Sequence, residues 1–190
     1  MNNGKVLLMA EIAIMAALSL ILGLISFKGI WPQGGSVSLE MVPIFLLAFR
    51  RGLKAGVFTG LVVGLLQLLI NPQIYYFAQV ILDYPLAFAL AGVAGAFAPS
   101  LAQNRSKRTA LMVLGIFVGC TLRLISHVLS GVIFFSEFAP KEMNVWLYSF
   151  LYNGSFMVVI FAITALVVIL LTNTAPKLLH AARNGHHQAA

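Results

Sequence analysis

Long apolar runs, separated by short polar or Gly- and Pro-containing stretches, make up most of the chain. Apolar and polar residues do not alternate within the runs, which favours helices over the strands of a transmembrane barrel. Most runs approach the roughly 20 apolar residues that a helix needs to cross a bilayer. The pattern predicts helices at residues 5–26, 39–49, 54–70, 77–101, 109–135 and 145–172.

The second predicted helix is the exception, because a helix over residues 39–49 is only about 16 Å long. It is expected to be tilted or to continue into an ordered loop before it. The first run is longer than a signal-peptide core and has no convincing cleavage site, so we interpret it as a retained helix. We divide the chain into one transmembrane domain, residues 1–176, and a polar cytoplasmic tail, residues 177–190.

The composition supports a membrane-embedded fold. Of the 190 residues, 61% are hydrophobic and 9% are charged, whereas a soluble domain carries about 25% charged residues. The net charge of +7 does not indicate nucleic-acid binding, because the basic residues lie in short loops and form no extended face. The fold class is therefore an all-α integral membrane protein with six transmembrane helices, placed in the cell membrane.

Lys and Arg are divided unevenly between the two sets of helix ends. One set of helix ends carries only Lys28 and Lys141, while the other set carries nine basic residues. Arg123 belongs to neither set, because it lies inside the fifth predicted helix. By the positive-inside rule, both termini are expected in the cytoplasm, and the loops before helices 2 and 6 outside. The basic residues of the cytoplasmic set are Lys5, Arg50, Arg51, Lys54, Arg105, Lys107, Arg108, Lys177 and Arg183.

Ionisable side chains inside membrane spans are costly and therefore indicate function. Glu11, Asp83, Arg123 and His127 are predicted to lie there, although Glu11 is near enough to the cytoplasmic end to reach water. The helical rise places Asp83 about 9 Å, and His127 and Asn153 about 12 Å, below the outer ends of their helices. Three polar groups from helices 4, 5 and 6 thus converge in a pocket that opens to the outside.

Aromatic side chains crowd the same end of the chain's helices. A carboxylate among aromatic rings suits a cationic or aromatic ligand. For single residues other interpretations stay open: the aromatics as interface belt, Asp83 as a structural partner of Arg123, and His127 as a bundle residue. Tyr148 and Asn153 share no helical face, so both line a pocket only if Tyr148 lies at a loose helix start. The aromatic residues are Trp31, Tyr75, Tyr76, Tyr84, Phe135, Trp146, Tyr148 and Tyr152.

Catalytic motifs are missing from the sequence. It contains no Walker motif, no HExxH and no Cys/His cluster, so no catalytic residue, metal or cofactor is assigned. Ser155 near His127 suggests an intramembrane serine protease, but Phe156 follows it where such enzymes need their nucleophile motif.

Small residues four apart predict close helix contacts. Those on helices 3, 4 and 5 are expected to pack inside the bundle. Ala13 and Ala17 on helix 1 suit either internal packing or another protein, and the residues alone do not decide. The internal set is Gly56, Gly60, Gly64, Ala87, Ala91, Gly95, Gly115 and Gly119.

Several short motifs occur in colinear order as far as Asn153. They are residues 33–38 (Gln-Gly-Gly-Ser-Val-Ser), 41–45 (Met-Val-Pro-Ile-Phe), 49–56 (Phe-Arg-Arg-Gly-Leu-Lys-Ala-Gly), 82–84 (Leu-Asp-Tyr), 126–131 (Ser-His-Val-Leu-Ser-Gly), 138–141 (Phe-Ala-Pro-Lys), 146–149 (Trp-Leu-Tyr-Ser) and 152–153 (Tyr-Asn). As a set, they resemble the thiamine-specific S component of energy-coupling factor (ECF) transporters. The resemblance implies an S-component-type bundle that captures vitamin outside and docks on a membrane coupling protein and two ATPase subunits.

The resemblance also implies roles for individual residues. Asp83 takes the place of an acidic residue, Glu in many relatives, that hydrogen-bonds the aminopyrimidine. Phe135 stands where some relatives have a stacking Trp, and Trp31 is expected to cover the occupied site. Ala13 and Ala17 match the family's surface for the coupling protein. Further pocket positions are matched by Tyr84, His127, Tyr148 and Asn153.

The sequence therefore predicts a thiamine-binding subunit without enzymatic activity. Thiamine suits the residues, because its thiazolium cation favours aromatic faces and its aminopyrimidine donates to a carboxylate. The unphosphorylated vitamin is expected, since no basic cluster lies at the outer pocket. Two alternatives remain: an S component for another vitamin such as a bulkier flavin, and an intramembrane enzyme that uses His127 with Ser155 or Asp83.

Overall fold

The computed structural model describes residues 3–180 except 33, 71 and 101, so Gln33 of the first motif and tail residues 181–190 lie outside it. Five of the six helices in the described residues are long and apolar enough to cross a membrane. The all-helical class is confirmed, and the second helix is too short to span, as predicted. The helices are α1 (Asn3–Leu24), α2 (Met41–Arg51), α3 (Leu53–Ile70), α4 (Phe77–Phe97), α5 (Arg105–Phe134) and α6 (Val145–Thr174).

The predicted helix ends differ most from the structure between α4 and α5. The α4 helix ends at Phe97, four residues before the prediction, because the backbone becomes extended at Ala98. The α5 helix begins at Arg105 because Asn104 caps it, accepting a hydrogen bond from the Lys107 backbone N–H at 2.9 Å. A cap of this kind satisfies a donor that the first turn leaves free. Basic residues expected in a loop therefore form the first turn of α5.

Successive helices run in opposite directions, so their connections alternate between two ends of the bundle. We call one the loop end, because it carries the connections 25–40 and 135–144. The other is the basic end, with Arg50, Arg51 and Arg105. Within the loop before α2, Phe27 and Val37 exchange backbone hydrogen bonds of 2.9 Å, which makes this loop an ordered hairpin.

The short helix α2 occupies the centre of the bundle. All residues from Met41 to Phe49 are buried, and α2 packs against α1, α3, α4 and α6. Protein, and not lipid, therefore surrounds this helix. A non-spanning helix is tolerated in a membrane only under that condition, because its ends need polar partners.

Helix α4 is irregular where the site forms. Pro85 lacks a backbone N–H, and the turn Leu82–Leu86 widens into a π-helical segment. Ser126 of α5 donates from its hydroxyl to the Leu82 carbonyl at 2.6 Å. This bond satisfies a carbonyl at the widened turn and ties α4 to α5 beside Asp83.

Glycines let α3 and α4 touch along their backbones. A Cβ atom at Gly60 would collide with the Phe88 carbonyl, and one at Gly64 would lie 2.5 Å from the Tyr84 carbonyl oxygen. The expectation that these small residues pack inside the bundle is confirmed for this pair of helices. The close seam holds the backbone of residues 84–88 in a fixed position.

Replacing Gly60 with Ala is expected to lower the free energy of unfolding by about 1–3 kcal/mol, because the new methyl group meets backbone atoms that have no room to move. Gly154→Ala is the matched control, since no atom lies within 4 Å of the added Cβ. Alanine there should be neutral or stabilising by up to about 1 kcal/mol. Thermal unfolding in detergent measures both, and equal midpoints for the two variants would contradict the packing argument.

Candidate functional site

A cavity of about 390 Å³ lies at the loop end. Helices α4, α5 and α6 line it as predicted, but Gln67 of α3 and Glu40 before α2 also contribute. The ordered loop supplies further wall residues between Lys28 and Ser36. The structure brings all seven predicted ligand-binding residues to this cavity, while their contacts with a ligand remain a prediction. They are Trp31, Asp83, Tyr84, His127, Phe135, Tyr148 and Asn153.

Three side chains hold the Asp83 carboxylate. Its Oδ2 accepts hydrogen bonds from Gln79 Nε2 at 2.8 Å and from Ser130 Oγ at 2.9 Å. Its Oδ1 lies 3.0 Å from His127 Nδ1. A carboxylate accepts about four hydrogen bonds, so the lone pair left on Oδ1 remains for a ligand.

His127 is a neutral link between two charged groups. Its Nε2 accepts a hydrogen bond from Arg123 Nε at 3.2 Å. Because Nε2 is the acceptor, the imidazole proton lies on Nδ1, which donates to Asp83. The orientation of the ring is therefore fixed from both sides.

Arg123 pairs with Glu40. Its Nη2 lies 3.2 Å from Glu40 Oε1, and the side chains are only 7% and 12% exposed. Gln67 Nε2 donates to Glu40 Oε2 at 2.8 Å, and the guanidinium lies 4.0 Å from the centre of the Phe88 ring. The alternative that Asp83 is the partner of Arg123 is thus wrong, and the pocket holds two carboxylates where one was predicted.

Sequence reasoning missed Glu40 because it is the second residue of the predicted helix 39–49, next to a polar loop, where a charged side chain can reach water. One signal was available. An arginine inside a span needs a nearby counter-charge, and Arg123 was left without one once Asp83 was assigned to the ligand. Gln67 and Ser130 carried no comparable signal, because uncharged polar residues are common within helix bundles.

The buried network carries a net negative charge. Two carboxylates, Asp83 and Glu40, against one guanidinium, Arg123, and one neutral imidazole sum to −1. Lys28 also lines the cavity, but it is exposed at the mouth, where solvent ions screen its charge. The interior of the cavity therefore favours a ligand with one positive charge.

Aromatic rings form much of the remaining wall. Trp31 donates from Nε1 to Ser155 Oγ at 2.8 Å and meets the Phe156 ring edge-on at 5.9 Å, which closes the loop onto α6. On α6, the ring centroids of Tyr148 and Tyr152 lie 6.0 Å apart. These rings offer flat faces to a planar or cationic ligand.

Tyr148 and Asn153 both line the cavity from the regular helix α6. The expectation that Tyr148 needs a loose helix start is therefore wrong. Asn153 turns toward α5, where its Nδ2 lies 3.5 Å from the His127 carbonyl oxygen. The cavity extends around more than one face of α6, which is why two residues about 140° apart both reach it.

Three other aromatic residues stand outside the cavity wall. Tyr75, Tyr76 and Trp146 are 61%, 54% and 55% exposed. Tyr76 stacks on Phe134 at 5.3 Å and does not reach the cavity. Exposed aromatics at the end of a membrane bundle are typical of an interface belt.

The serine of the enzymatic alternative is engaged elsewhere. Ser155 Oγ accepts from Trp31 and donates to the Tyr152 carbonyl at 2.7 Å. It forms no hydrogen bond with His127, so no nucleophile and base are paired.

The two alanines expected to contact a partner lie on the outside of α1. Ala13 and Ala17 are exposed, whereas Ile12 and Ala16 are buried against the rest of the bundle. The pair takes no part in internal packing and is available to another protein in the membrane.

Comparison with known proteins identifies the family. The family described as Thiamine transporter protein (Thia_YuaJ) matches residues 9–180. The chain is 46% identical over 187 residues to thiamine transporter ThiT of Bacillus subtilis (strain 168), which covers 94% of this chain and 97% of that protein. The chain belongs to this thiamine transporter family.

Two further members of the thiamine transporter family extend the comparison. ThiT of Lacticaseibacillus paracasei is 31% identical over 187 residues, covering 93% of this chain and 92% of that protein. The solved structure of ThiT from Listeria monocytogenes superposes with a TM-score of 0.87 at 29% identity, covering 94% of this chain and all of that chain. The chain is therefore a multi-pass membrane protein of a transporter family, and the prediction of a transport subunit and not an enzyme is confirmed.

Removing one member of the buried ion pair is expected to destabilise the ligand-free protein. Arg123→Met leaves the Glu40 carboxylate buried without its counter-charge, at a cost of about 3–5 kcal/mol. The double variant Arg123→Met/Glu40→Met removes both charges and should recover most of this loss. Chemical unfolding of the four proteins in a double-mutant cycle measures the coupling, and strictly additive effects would contradict a buried pair.

Proposed function

We propose that the chain is the thiamine-binding S component of an ECF-type vitamin importer. The observation that carries the proposal is a buried, aromatic-walled cavity whose polar network sums to one negative charge. Thiamine has one permanent positive charge and two flat rings, so charge and shape both match. The relatives named as thiamine transporters support the same substrate.

Each part of the vitamin has a suitable counterpart in the cavity. The aminopyrimidine donates to the free lone pair on Asp83 Oδ1, while Tyr148 and Asn153 offer polar groups nearby. The thiazolium lies among aromatic faces under the negative potential of Glu40. Arg123 Nη1, buried and without a hydrogen-bond partner among the described residues, donates to the hydroxyl group of the vitamin.

The expected orientation follows from the charges. The positive-inside rule places the basic end and both termini in the cytoplasm, and the loop end outside. Thiamine then enters under the loop that carries Trp31. Transport needs a membrane coupling protein and two ATPase subunits, and the exposed Ala13 and Ala17 suit contact with the coupling protein.

The cavity argues against the two alternatives. Its volume of about 390 Å³ lies near the lower end of the range for small-molecule sites, which suits a vitamin of two separate rings better than a flavin. The net negative network also disfavours phosphorylated thiamine. The hydrogen bonds of Ser155 leave the enzymatic alternative without an activated nucleophile.

Asp83→Asn is expected to weaken thiamine binding about 10- to 150-fold, the effect of losing a hydrogen bond to a charged group. Titration calorimetry on the purified protein measures the affinity, and thermal unfolding checks that the variant is folded. Glu137→Gln, which neutralises an exposed carboxylate at the same end, is the matched control and should bind normally. Wild-type protein that gives no heat with thiamine and shows no competition by pyrithiamine would overturn the assignment.

Glu40→Gln tests the recognition of the cation separately. It should lower the affinity for thiamine about tenfold or more, because an uncharged amide replaces a carboxylate in a region of low dielectric constant. An uncharged analogue, with thiophene in place of thiazolium, should bind wild type and variant almost equally. An equal loss for both ligands would show that Glu40 acts through structure and not through its charge.

A further inference from the structure

At the basic end, two arginines of α2 hold a carboxylate of α1. Glu11 Oε2 lies 2.6 Å from Arg51 Nε, and its Oε1 lies 2.9 Å from Arg51 Nη2 and 3.0 Å from Arg50 Nη2. The three side chains are only 16–20% exposed. We call these three residues the clasp. Glu11, expected to reach water, is instead bound by a bidentate and a second ion pair.

The clasp also reaches the end of the described chain. Arg50 Nη1 donates to the carbonyl oxygens of Lys177 and Leu178 at 3.3 and 3.2 Å. Both belong to the short helical turn Pro176–Leu179, whose Leu179 is only 6% exposed. Helices α1 and α2 and this turn are therefore joined at one point.

Glu11 and the exposed alanine pair lie on opposite sides of α1. At 100° per residue, Ala13 and Ala17 are turned about 160° and 120° away from Glu11. The buried residues Ile12 and Ala16 lie between Glu11 and the alanine pair, about 100° and 140° from Glu11. Turning Glu11 toward α2 thus turns the alanine pair toward the membrane.

Apolar packing alone sets the rotation of α1 weakly. Glu11 is the single charged residue between Val6 and Leu24, and the helix is apolar on every side. In a bilayer, lipid solvates an apolar face about as well as protein does, so burying one face or another changes the energy little. The energy of an ion pair that is shielded from water depends strongly on the distance between the charged groups and on their relative direction. The clasp therefore makes one rotation of α1 about its axis lower in energy than the others, because only that rotation brings Glu11 to Arg50 and Arg51.

We propose that the clasp is a positioning device that fixes the rotation of α1 and so presents the Ala13–Ala17 face to a partner. The partner that this face fits is a transmembrane helix, because two alanines one turn apart allow close backbone approach. The identity of that partner as the coupling protein rests on the proposed function. The rotation itself does not depend on that assignment.

The first experiment measures the rotation without ligand or partner. Spin labels are placed at Ala13→Cys and Val158→Cys, two exposed positions, in full-length protein with the buried Cys120 replaced by Ala. Pulsed electron resonance should give one narrow distance distribution, which Glu11→Ala broadens or shifts. Glu142→Ala, at an exposed acidic residue near the loop end, is the matched control and should leave it unchanged. An identical distribution in Glu11→Ala overturns the proposal.

The second experiment measures docking. Glu11→Ala should bind thiamine within about twofold of wild type, because the clasp lies outside the cavity wall, but assemble with the coupling protein and its ATPases at least about fivefold less tightly. The exchanged pair Glu11→Arg/Arg51→Glu should restore both the narrow distribution and assembly. Normal assembly of Glu11→Ala overturns the docking role. Failure of wild-type protein to bind thiamine would defeat the proposed function alone, since the distance measurement is independent of it.

Discussion

A guanidinium among membrane-spanning helices has to be neutralised, and the site is arranged around the way in which Arg123 meets this requirement. Its ion pair with Glu40 fixes the start of α2, while its Nε orients His127. His127 in turn donates to Asp83, the carboxylate with a free lone pair. One buried charge thus connects α2, α5 and α4. Each link is a hydrogen bond that lipid cannot replace, which makes the arrangement costly to disturb.

This dependence explains why a helix too short to span lies at the centre of the fold. The residue before α2 is Glu40 and its last two are Arg50 and Arg51, so α2 carries ionic groups at both ends and apolar residues between them. At the loop end Glu40 pairs with Arg123, and at the basic end Arg50 and Arg51 pair with Glu11. A spanning helix would carry these charges into headgroups and water. The short one keeps them inside the protein, where they hold other helices.

Much of this arrangement was predictable from the sequence, because lipid imposes strong rules. Apolar length located the spans, and the rise per residue placed Asp83, His127 and Asn153 at one level. What escaped prediction depended on contacts between distant segments. Glu40 lies at the very start of the predicted helix 39–49 and shows its role only through Arg123 on another helix. The widened turn at Pro85 likewise needs Ser126 of α5, which no local pattern reveals.

The ion pair Arg123–Glu40 and the clasp both position helices through directional polar contacts, although one lies at the ligand site and the other at the basic end. In water, hydrophobic burial selects how helices pack, but in a bilayer lipid competes with every apolar face. Directional polar contacts must then define the position of each helix. Near the loop end they hold a carboxylate beside a cavity, and near the basic end they hold the face that α1 turns outward. Glu40 precedes α2, and Arg50 and Arg51 are its last two residues. A change in the position of this one helix would therefore alter both the ligand site and the docking surface.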